Sequence, residues 1–242
     1  MPHSLEKLVR GVKALRAYVT IVRDPNKLEK VFDLRTALAE PRVLREMADF
    51  FRKDEQGRRA LAERPRIGTL DLEALAAMPE GTLGQAFGRH MIDAGLDPSA
   101  IPSLPSNDEM QFMDAHLYES HDVWHVVTGF HTDVAGELGL QAFYAAQFPA
   151  RLSLAIMSGG LLNTLVDPKA MADADRRMDA ITQGWSMGRR AKPFFGYRWA
   201  ESWHRPLSDV RRELRVQPVT GPLARGLEGE TGHETVGPAI AA

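Results

Sequence analysis

The chain has 242 residues, with 30 basic and 32 acidic side chains and no cysteine. This length fits one domain, and the near-neutral charge argues against a protein held on nucleic acid by bulk electrostatics. The lack of cysteine excludes disulfides, thiol nucleophiles and thiolate-bound metals, so any metal must be bound by histidine, carboxylate or backbone oxygen.

The N-terminal segment, residues 1–16, predicts an amphipathic helix with interspersed charges rather than the apolar centre of a secretory signal. No run of about 20 apolar residues occurs, so the sequence predicts no membrane-spanning helix. We therefore expect a cytoplasmic protein, and attachment to a membrane surface remains open.

Apolar residues recur at helical spacing almost throughout the chain, and neither alternating strands nor repeats are found. The expected breaks are Asp24-Pro25, Glu40-Pro41, 65–68, 79–81 and a proline-containing loop over 95–107. We predict an all-α, single-domain helical bundle of about nine to eleven helices over residues 1–216. Residues 217–242 are rich in Gly, Pro and Thr and lack periodicity, which predicts a flexible tail.

Residues 152–166 form an apolar segment without any charge. The segment is short for a membrane span, so we expect a helix buried in the core. The alternative is a wall of an apolar tunnel or membrane-facing slot, in which Ser158, Gly159 and Gly160 leave room for a lipid chain beside the helix.

The strongest chemical signal is His121-Asp122-Val123-Trp124-His125, followed by Glu137. On a helix, the two histidines lie one turn apart with the aspartate beside them, so imidazoles and a carboxylate converge as a divalent cation requires. Glu137 can join them only if the chain folds back. Gly129 can end the first helix and Thr132 or Asp133 can cap the next, so we predict a metal site on a helical hairpin.

Other interpretations of this motif are weaker. Two histidines four residues apart can share one helix face by chance. Against chance, four of the eight histidines fall within residues 116–131. Zinc proteases place Glu, not Asp, after the first histidine. A His-Asp phosphohydrolase would need further ligands, for which only His90 and Asp175 could be offered.

A basic cluster follows a predicted helix near residue 188. Arg189, Arg190 and Lys192 could bind a phosphate, carboxylate or lipid headgroup, and we take Arg189 and Lys192 as candidate substrate-binding residues. The alternative is a solvated helix end, where cations are favoured by the helix dipole.

The chain contains the motif His-Asp-x-x-His, followed after eleven residues by Glu. This motif resembles the signature of the ubiquinone (coenzyme Q) biosynthesis protein 4 family. His121, Asp122, His125 and Glu137 meet this pattern without departure. The likeness extends over residues 34–216. Its other blocks are Arg64-Pro65 to Leu70-Asp71, 79–84, Gly184-Trp185 to Met187-Gly188, Ala191-Lys192-Pro193, and Trp199 to Trp203 with Pro206 and Leu207.

The resemblance implies an all-helical fold and a divalent metal, usually described as zinc, held by His121, Asp122, His125 and Glu137. It implies a role in ubiquinone biosynthesis, at the inner-membrane surface and together with other enzymes of the pathway, with a homodimer also expected. The activity it implies is decarboxylation of a polyprenylated hydroxybenzoate, with a hydroxyl replacing the carboxylate. The alternative in the same family is a non-catalytic scaffold that binds prenyl lipid and organises the other enzymes.

Two histidines and two carboxylates suit zinc, manganese, iron or cobalt, and each can stabilise charge on a carboxylate or phenolate oxygen. Zinc supplies no electrons to oxygen, so an oxidative reaction needs a redox metal, a reactive phenolate or another cofactor. Asp122 is either a ligand or a partner that orients an imidazole. A soluble metallohydrolase remains a third option. The candidates for proton transfer are Asp114, His116, Glu119 and His131.

Overall fold

The computed structural model describes residues 2–25, 27–96 and 104–225. These residues form an all-helical fold, as predicted, with thirteen α-helices and a short 3-10 helix at Trp199–Ser202. The α-helices are α1 (Pro2–Arg23), α2 (Leu28–Leu38), α3 (Pro41–Phe51), α4 (Glu55–Glu63), α5 (Leu72–Ala76), α6 (Leu83–Asp93), α7 (Glu109–Thr128), α8 (Val134–Gln147), α9 (Arg151–Val166), α10 (Pro168–Ala172), α11 (Ala174–Arg190), α12 (Leu207–Leu214) and α13 (Pro222–Arg225).

The described part of the chain has more helices than the nine to eleven we expected, because short helices were not distinguished in the sequence. Asp54 starts α4 directly after α3, since its side chain accepts a hydrogen bond from the Gly57 amide at 2.8 Å. At Asp173 the chain also breaks, which separates α10 from α11.

The predicted tail boundary lies too early. Val219 and Leu223 are buried in the main core, and the Val219 amide donates to the Thr128 carbonyl at 2.9 Å. Val219, Leu223 and Ala224 therefore pack against the main core, despite the weak periodicity around them. Residues 226–242 of the predicted tail lie outside the described residues.

Helix α7 is the centre of the main core. Fifteen of its 20 residues are buried, including polar ones that an amphipathic surface helix would expose. Asp108 caps its first turn by accepting from the Gln111 amide at 2.8 Å. Around it pack side chains from α3, α4, α6 and α12. The helix that carries the histidine pair is thus enclosed by the fold rather than presented on its surface.

Helices α8 and α11 run in the same direction and lie very close together. A Cβ atom built on Gly184 of α11 would lie 1.9 Å from the carbonyl oxygen of Gly139 on α8, and one on Gly188 would lie 2.7 Å from that of Phe143. Glycine at these positions lets the two backbones touch, which fixes the helix that carries Glu137.

Helix α9, in which residues 152–166 are uncharged, is only half buried, so the expectation of a helix buried in the core was wrong. Leu152 and Ile156 pack against α1 and α2, whereas five large apolar side chains on the other side are between 40% and 70% exposed. These exposed residues are Leu154, Leu161, Leu162, Leu165 and Val166. An uncharged segment does not need to be surrounded by protein, and here one side faces outward.

Within the described ranges, none of the helices combines the length and the apolar content that a bilayer span requires.

Candidate metal centre

The predicted hairpin between α7 and α8 forms. Gly129 ends α7 in the left-handed region, at φ 82°, and the side chain of Asp133 caps α8 by accepting from the Gly136 amide at 2.9 Å. Residue 136 must be small, because a Cβ atom there would lie 1.8 Å from the His131 carbonyl oxygen. Residues 129–133 thereby reverse the chain and bring Glu137, in the first turn of α8, back to α7.

Three side chains of the hairpin meet at one point. The Nε2 atoms of His121 and His125 lie 3.1 Å apart, and His125 Nε2 lies 3.1 Å from Glu137 Oε1. His121 Nε2 lies 3.6 Å from Glu137 Oε2. A tetrahedral zinc ion with bonds of about 2.0–2.1 Å places neighbouring donor atoms about 3.3 Å apart. The spacing of the three donors therefore fits a bound divalent ion.

The remaining ring nitrogens orient both imidazoles. His125 Nδ1 lies 3.0 Å from the carbonyl oxygen of Phe130, which can only accept, so this nitrogen carries the proton. His121 Nδ1 lies 3.3 Å from the hydroxyl of Tyr144. Such outer partners leave each Nε2 free to face the shared point, which is the usual arrangement around metal-binding histidines. Both imidazole side chains are completely buried.

The charges of these groups depend on one another. Burial opposes ionisation of Glu137, yet the neighbouring His125 and His121 outweigh it and hold the pKa of Glu137 below its ordinary range. Burial likewise opposes a charge on His125, but the facing Glu137 carboxylate raises the pKa of His125 above its usual value. The pocket thus favours an ionised Glu137 carboxylate and a positive charge between this carboxylate and the two imidazoles. A divalent cation can supply that charge.

Asp122 lies outside the group of donors that come together. The donor atoms within 4.8 Å of one another belong to His121, His125 and Glu137. Asp122 is 3% exposed, burial raises its pKa, and its Oδ1 has no hydrogen-bond partner among the described residues. Its assignment as a metal ligand, and the alternative that it orients a ring, both stay predictions.

His90 on α6, which the sequence offered only as a further ligand of a phosphohydrolase, borders this site. Its ring lies nearly parallel to that of His125, at 22°, with the centroids 6.0 Å apart. Burial, followed by the positive charge of His125, lowers the pKa of His90 to about 3, so its ring is neutral. Tyr144 was missed, although its position seven residues after Glu137 puts both on one face of α8.

Two of the four candidates for proton transfer form ion pairs elsewhere. Asp114 binds Arg35, and Glu119 binds Arg66 through both carboxylate oxygens, with Arg66 Nε at 2.9 and 3.0 Å. The Arg35 pair joins α2 to α7, and the Arg66 pair joins the loop after α4 to α7. Neither carboxylate belongs to the group of metal donors.

The other two candidates are histidines with different environments. His116 is buried, with Nδ1 3.1 Å from the Pro65 carbonyl oxygen and Nε2 accepting from the Gly196 amide at 3.0 Å. Burial lowers the pKa of His116 to about 4, so it is a neutral bridge between two loops. His131 lies in the hairpin turn, where its Nδ1 accepts from the Asp133 amide at 3.2 Å.

The candidate substrate-binding residues Arg189 and Lys192 are exposed at the end of α11. The Gln147 side chain donates to the Gly188 carbonyl at 2.8 Å, which places this end of α11 beside the last turn of α8. Glu137 is ten residues earlier on α8, about 15 Å along the axis. The structure does not bring the two cations to the metal donors, and their role stays a prediction.

Comparison with known proteins identifies the family. A sequence model described as coenzyme Q (ubiquinone) biosynthesis protein Coq4 matches residues 3–220. Among similar proteins, the ubiquinone biosynthesis protein coq-4 of Caenorhabditis elegans is 26% identical over 226 residues, covering 89% of this chain and 94% of that protein. The Danio rerio homologue is 26% identical over 215 residues, covering 86% of this chain and 76% of its own length. Both are named as mitochondrial.

A solved structure agrees with the sequence comparisons. The crystal structure of a protein from Nostoc punctiforme assigned to ubiquinone biosynthesis superposes with a TM-score of 0.72 at 29% sequence identity. The match covers 84% of this chain and 97% of that one. The chain therefore belongs to the coenzyme Q (ubiquinone) biosynthesis protein Coq4 family, and its place is in the ubiquinone pathway.

Proposed function

We propose that this protein is a metal-dependent decarboxylase, a lyase that removes the carboxyl group from a polyprenylated hydroxybenzoate during ubiquinone biosynthesis. The observation that carries the proposal is the buried group of His121, His125 and Glu137, with donor atoms 3.1 to 3.6 Å apart. Family membership supplies the pathway, and this group supplies a site where chemistry on an anionic ring is physically reasonable.

The reaction can be balanced in two forms. Without an oxidant, the bond between the ring and the carboxyl carbon breaks, carbon dioxide leaves, and the electron pair on the ring carbon takes up a proton. With an oxidant, the ring acid consumes dioxygen, two electrons and two protons, and yields carbon dioxide, water and a ring hydroxyl. The second form requires an external two-electron donor.

A divalent ion, with zinc favoured and manganese, iron or cobalt also compatible, would supply Lewis-acid stabilisation of carboxylate and phenolate oxygens. The protein's own part is to hold the donors in place. Phe130 and Tyr144 orient the two imidazoles, while the ring of Tyr144 stacks on Trp124 with centroids 4.2 Å apart. Both imidazoles are completely buried, and a low-dielectric surrounding strengthens charge interactions.

The prenyl tail requires an apolar surface, and the fold has one. Large apolar side chains are exposed on neighbouring helices, and we propose that this face lies against the inner-membrane surface. They are Val9, Val12, Leu15 and Val19 of α1, Leu154, Leu161, Leu162, Leu165 and Val166 of α9, Met171 of α10, and Met178 and Trp185 of α11. Exposed apolar patches of this kind mark membrane or protein contacts.

The same surface supports a second candidate, a non-catalytic scaffold. Its exposed leucines could hold prenyl lipid, other proteins of ubiquinone biosynthesis or a second copy of the chain. The scaffold predicts lipid and partner binding with no turnover. A soluble metallohydrolase is not favoured, because no observation points to a water-soluble ester or amide. The cytoplasmic location expected from the sequence stays a prediction.

Catalyst and scaffold can be separated by one assay. Protein loaded with zinc, manganese, iron(II) or cobalt(II) is incubated with 3-geranyl-4-hydroxybenzoate labelled at the carboxyl carbon, under air with a reductant, and released carbon dioxide is counted. The decarboxylase predicts release with at least one metal, and loss of release in His125→Ala but not in His204→Ala, which changes an exposed histidine. Lipid binding without any release contradicts the proposed activity.

A further inference from the structure

Gln141 of α8 has an unusual environment for an amide side chain. The residue is completely buried, and neither its Oε1 nor its Nε2 has a hydrogen-bond partner among the described residues. Burial of an unpaired amide destabilises a fold, because the hydrogen bonds to water are lost and not replaced. Such a group is most readily explained by a partner that arrives from outside the chain.

Other glutamines of the same chain are satisfied. Gln56 donates to the Pro193 and Phe195 carbonyls at 2.9 and 2.8 Å. Gln147, on the same helix as Gln141, donates to the Gly188 carbonyl at 2.8 Å and accepts from the Phe194 amide at 3.0 Å. Both tie loops and helices together through the main chain. The Gln141 side chain makes no such main-chain contact within the described ranges.

Helix geometry places Gln141 beside the metal donors. Glu137, Gln141 and Tyr144 are spaced by four and three residues, so they lie within an arc of about 60° on α8. Glu137 and Tyr144 both reach His121 on α7, at 3.6 Å and 3.3 Å. Gln141 lies between these two residues along the helix axis, about 6 Å from Glu137. Because Glu137 and Tyr144 both contact α7, the face of α8 that carries Gln141 is turned toward α7.

An unpaired polar atom also occurs on α7, beside the metal donors. Asp122 Oδ1 is buried without a hydrogen-bond partner in the described part of the chain, and this residue directly follows His121. Asp122 also lies three residues before His125, on the same face of α7. Both helices thus carry unpaired polar atoms next to the candidate metal centre.

We propose that the Gln141 amide binds a ring oxygen of the substrate, an aromatic carboxylic acid with a ring hydroxyl. This inference rests on the proposed function, because it names how the same site recognises its substrate. An uncharged amide offers two N–H donors and a carbonyl acceptor, so it can bind a carboxylate oxygen or a phenolic hydroxyl.

The test compares two ligands that differ only in ring oxygens. Binding of 3-geranyl-4-hydroxybenzoate and of geranylbenzene is measured by calorimetry in the same detergent, on metal-loaded and metal-free protein. The variants are Gln141→Leu and, as a control at a partly exposed amide, Gln85→Leu. We expect Gln141→Leu to weaken binding of the acid about tenfold, as for the loss of one hydrogen bond, and to leave geranylbenzene binding unchanged.

A stability measurement excludes a merely structural role. Replacing an unpaired buried amide by leucine removes a desolvation penalty, so the Tm of Gln141→Leu should stay the same or rise, whereas a similar change at Gln147 should lower it. Acid binding as tight in Gln141→Leu as in the unmodified chain overturns the inference, even if carbon dioxide is released. Equal binding of the two ligands by the unmodified chain also overturns it. Selective acid binding that needs Gln141 but yields no carbon dioxide supports the inference and contradicts only the proposed activity.

Discussion

His121 and His125 direct their Nε2 atoms at each other across 3.1 Å, with both rings shielded from solvent. Two buried imidazole lone pairs at this distance repel each other unless a proton or a cation lies between them. The Glu137 carboxylate completes the group on the third side, at 3.1 Å from His125. This geometry predicts that a divalent cation binds between the three side chains.

Metal binding should stabilise the fold through these residues. A ligand at 100 times its Kd adds about 2.7 kcal/mol to the free energy of unfolding, which for a chain of this size raises Tm by about 5–10 °C. We expect this rise with zinc for the unmodified chain and less than about 2 °C for His125→Ala. Differential scanning calorimetry with and without chelator measures it, and His204→Ala is the control. An equal rise in His125→Ala would contradict the assigned ligands.

The Tyr144 hydroxyl should tune the metal site without supporting the fold. Tyr144→Phe removes the contact to His121 Nδ1 but keeps the ring stacked on Trp124. Loss of such an outer partner typically lowers metal affinity about 10- to 100-fold. Competition with a zinc chelator measures the affinity. Tyr118→Phe is the control, because its buried hydroxyl has no partner among the described residues, and it should leave the affinity unchanged.

Arg211 of α12 should stabilise the end of the helix that carries the histidines. Its guanidinium donates to the Val127 and Val126 carbonyls at 2.9 and 2.8 Å, in the last turn of α7, where carbonyls lack partners within the helix. Arg211→Met removes two charge-assisted bonds and leaves both carbonyls unpaired.

We expect this change to lower the free energy of unfolding by about 2–4 kcal/mol and to weaken zinc binding. Urea denaturation of metal-free protein measures the first effect. Arg212→Met, at the neighbouring arginine whose side chain is 75% exposed, should change stability by less than about 0.5 kcal/mol. Similar losses for the two variants would show that the carbonyl contacts contribute nothing specific.

The hairpin was predictable from the sequence because each of its signals is local. Gly129 and Asp133 act at a helix end and a helix start, where the effect of a residue depends on its immediate neighbours. Helical spacing also places Tyr144 on the face of α8 that carries Glu137. Its contact with His121 could not be inferred, because it depends on how the two helices cross.

Other features depend on packing between distant segments. Whether Asp122 joins the metal donors depends on how α7 rotates relative to α8, and no sequence spacing fixes that rotation. His90 reaches His125 only because α6 packs against α7. The outward side of α9 carries more large apolar side chains than its inward side, so hydrophobicity alone could not distinguish burial from exposure.

Acid should weaken the hairpin through Asp133, the N-cap of α8. Its side chain accepts from the Gly136 amide at 2.9 Å and from Arg176 at 2.6 Å. Burial opposes its charge, but the neighbouring His131, the Gly136 amide and Arg176 outweigh burial and hold the pKa of Asp133 below its ordinary value of 3.8. Because the pKa is lower in the folded state, the stabilisation is fully present above pH 3.8 and is lost as the pH falls through the folded-state pKa.

Asp133→Asn tests this dependence, because asparagine can still cap a helix and only the charge is removed. In metal-free protein near pH 7, we expect the variant to be less stable by about 1–2 kcal/mol in urea denaturation, and the difference should shrink below pH 3.8. Asp108→Asn, the same change at the exposed N-cap of α7, should show a smaller difference. A difference at Asp133 that did not change with pH would mean that packing, rather than the carboxylate charge, stabilises the start of α8.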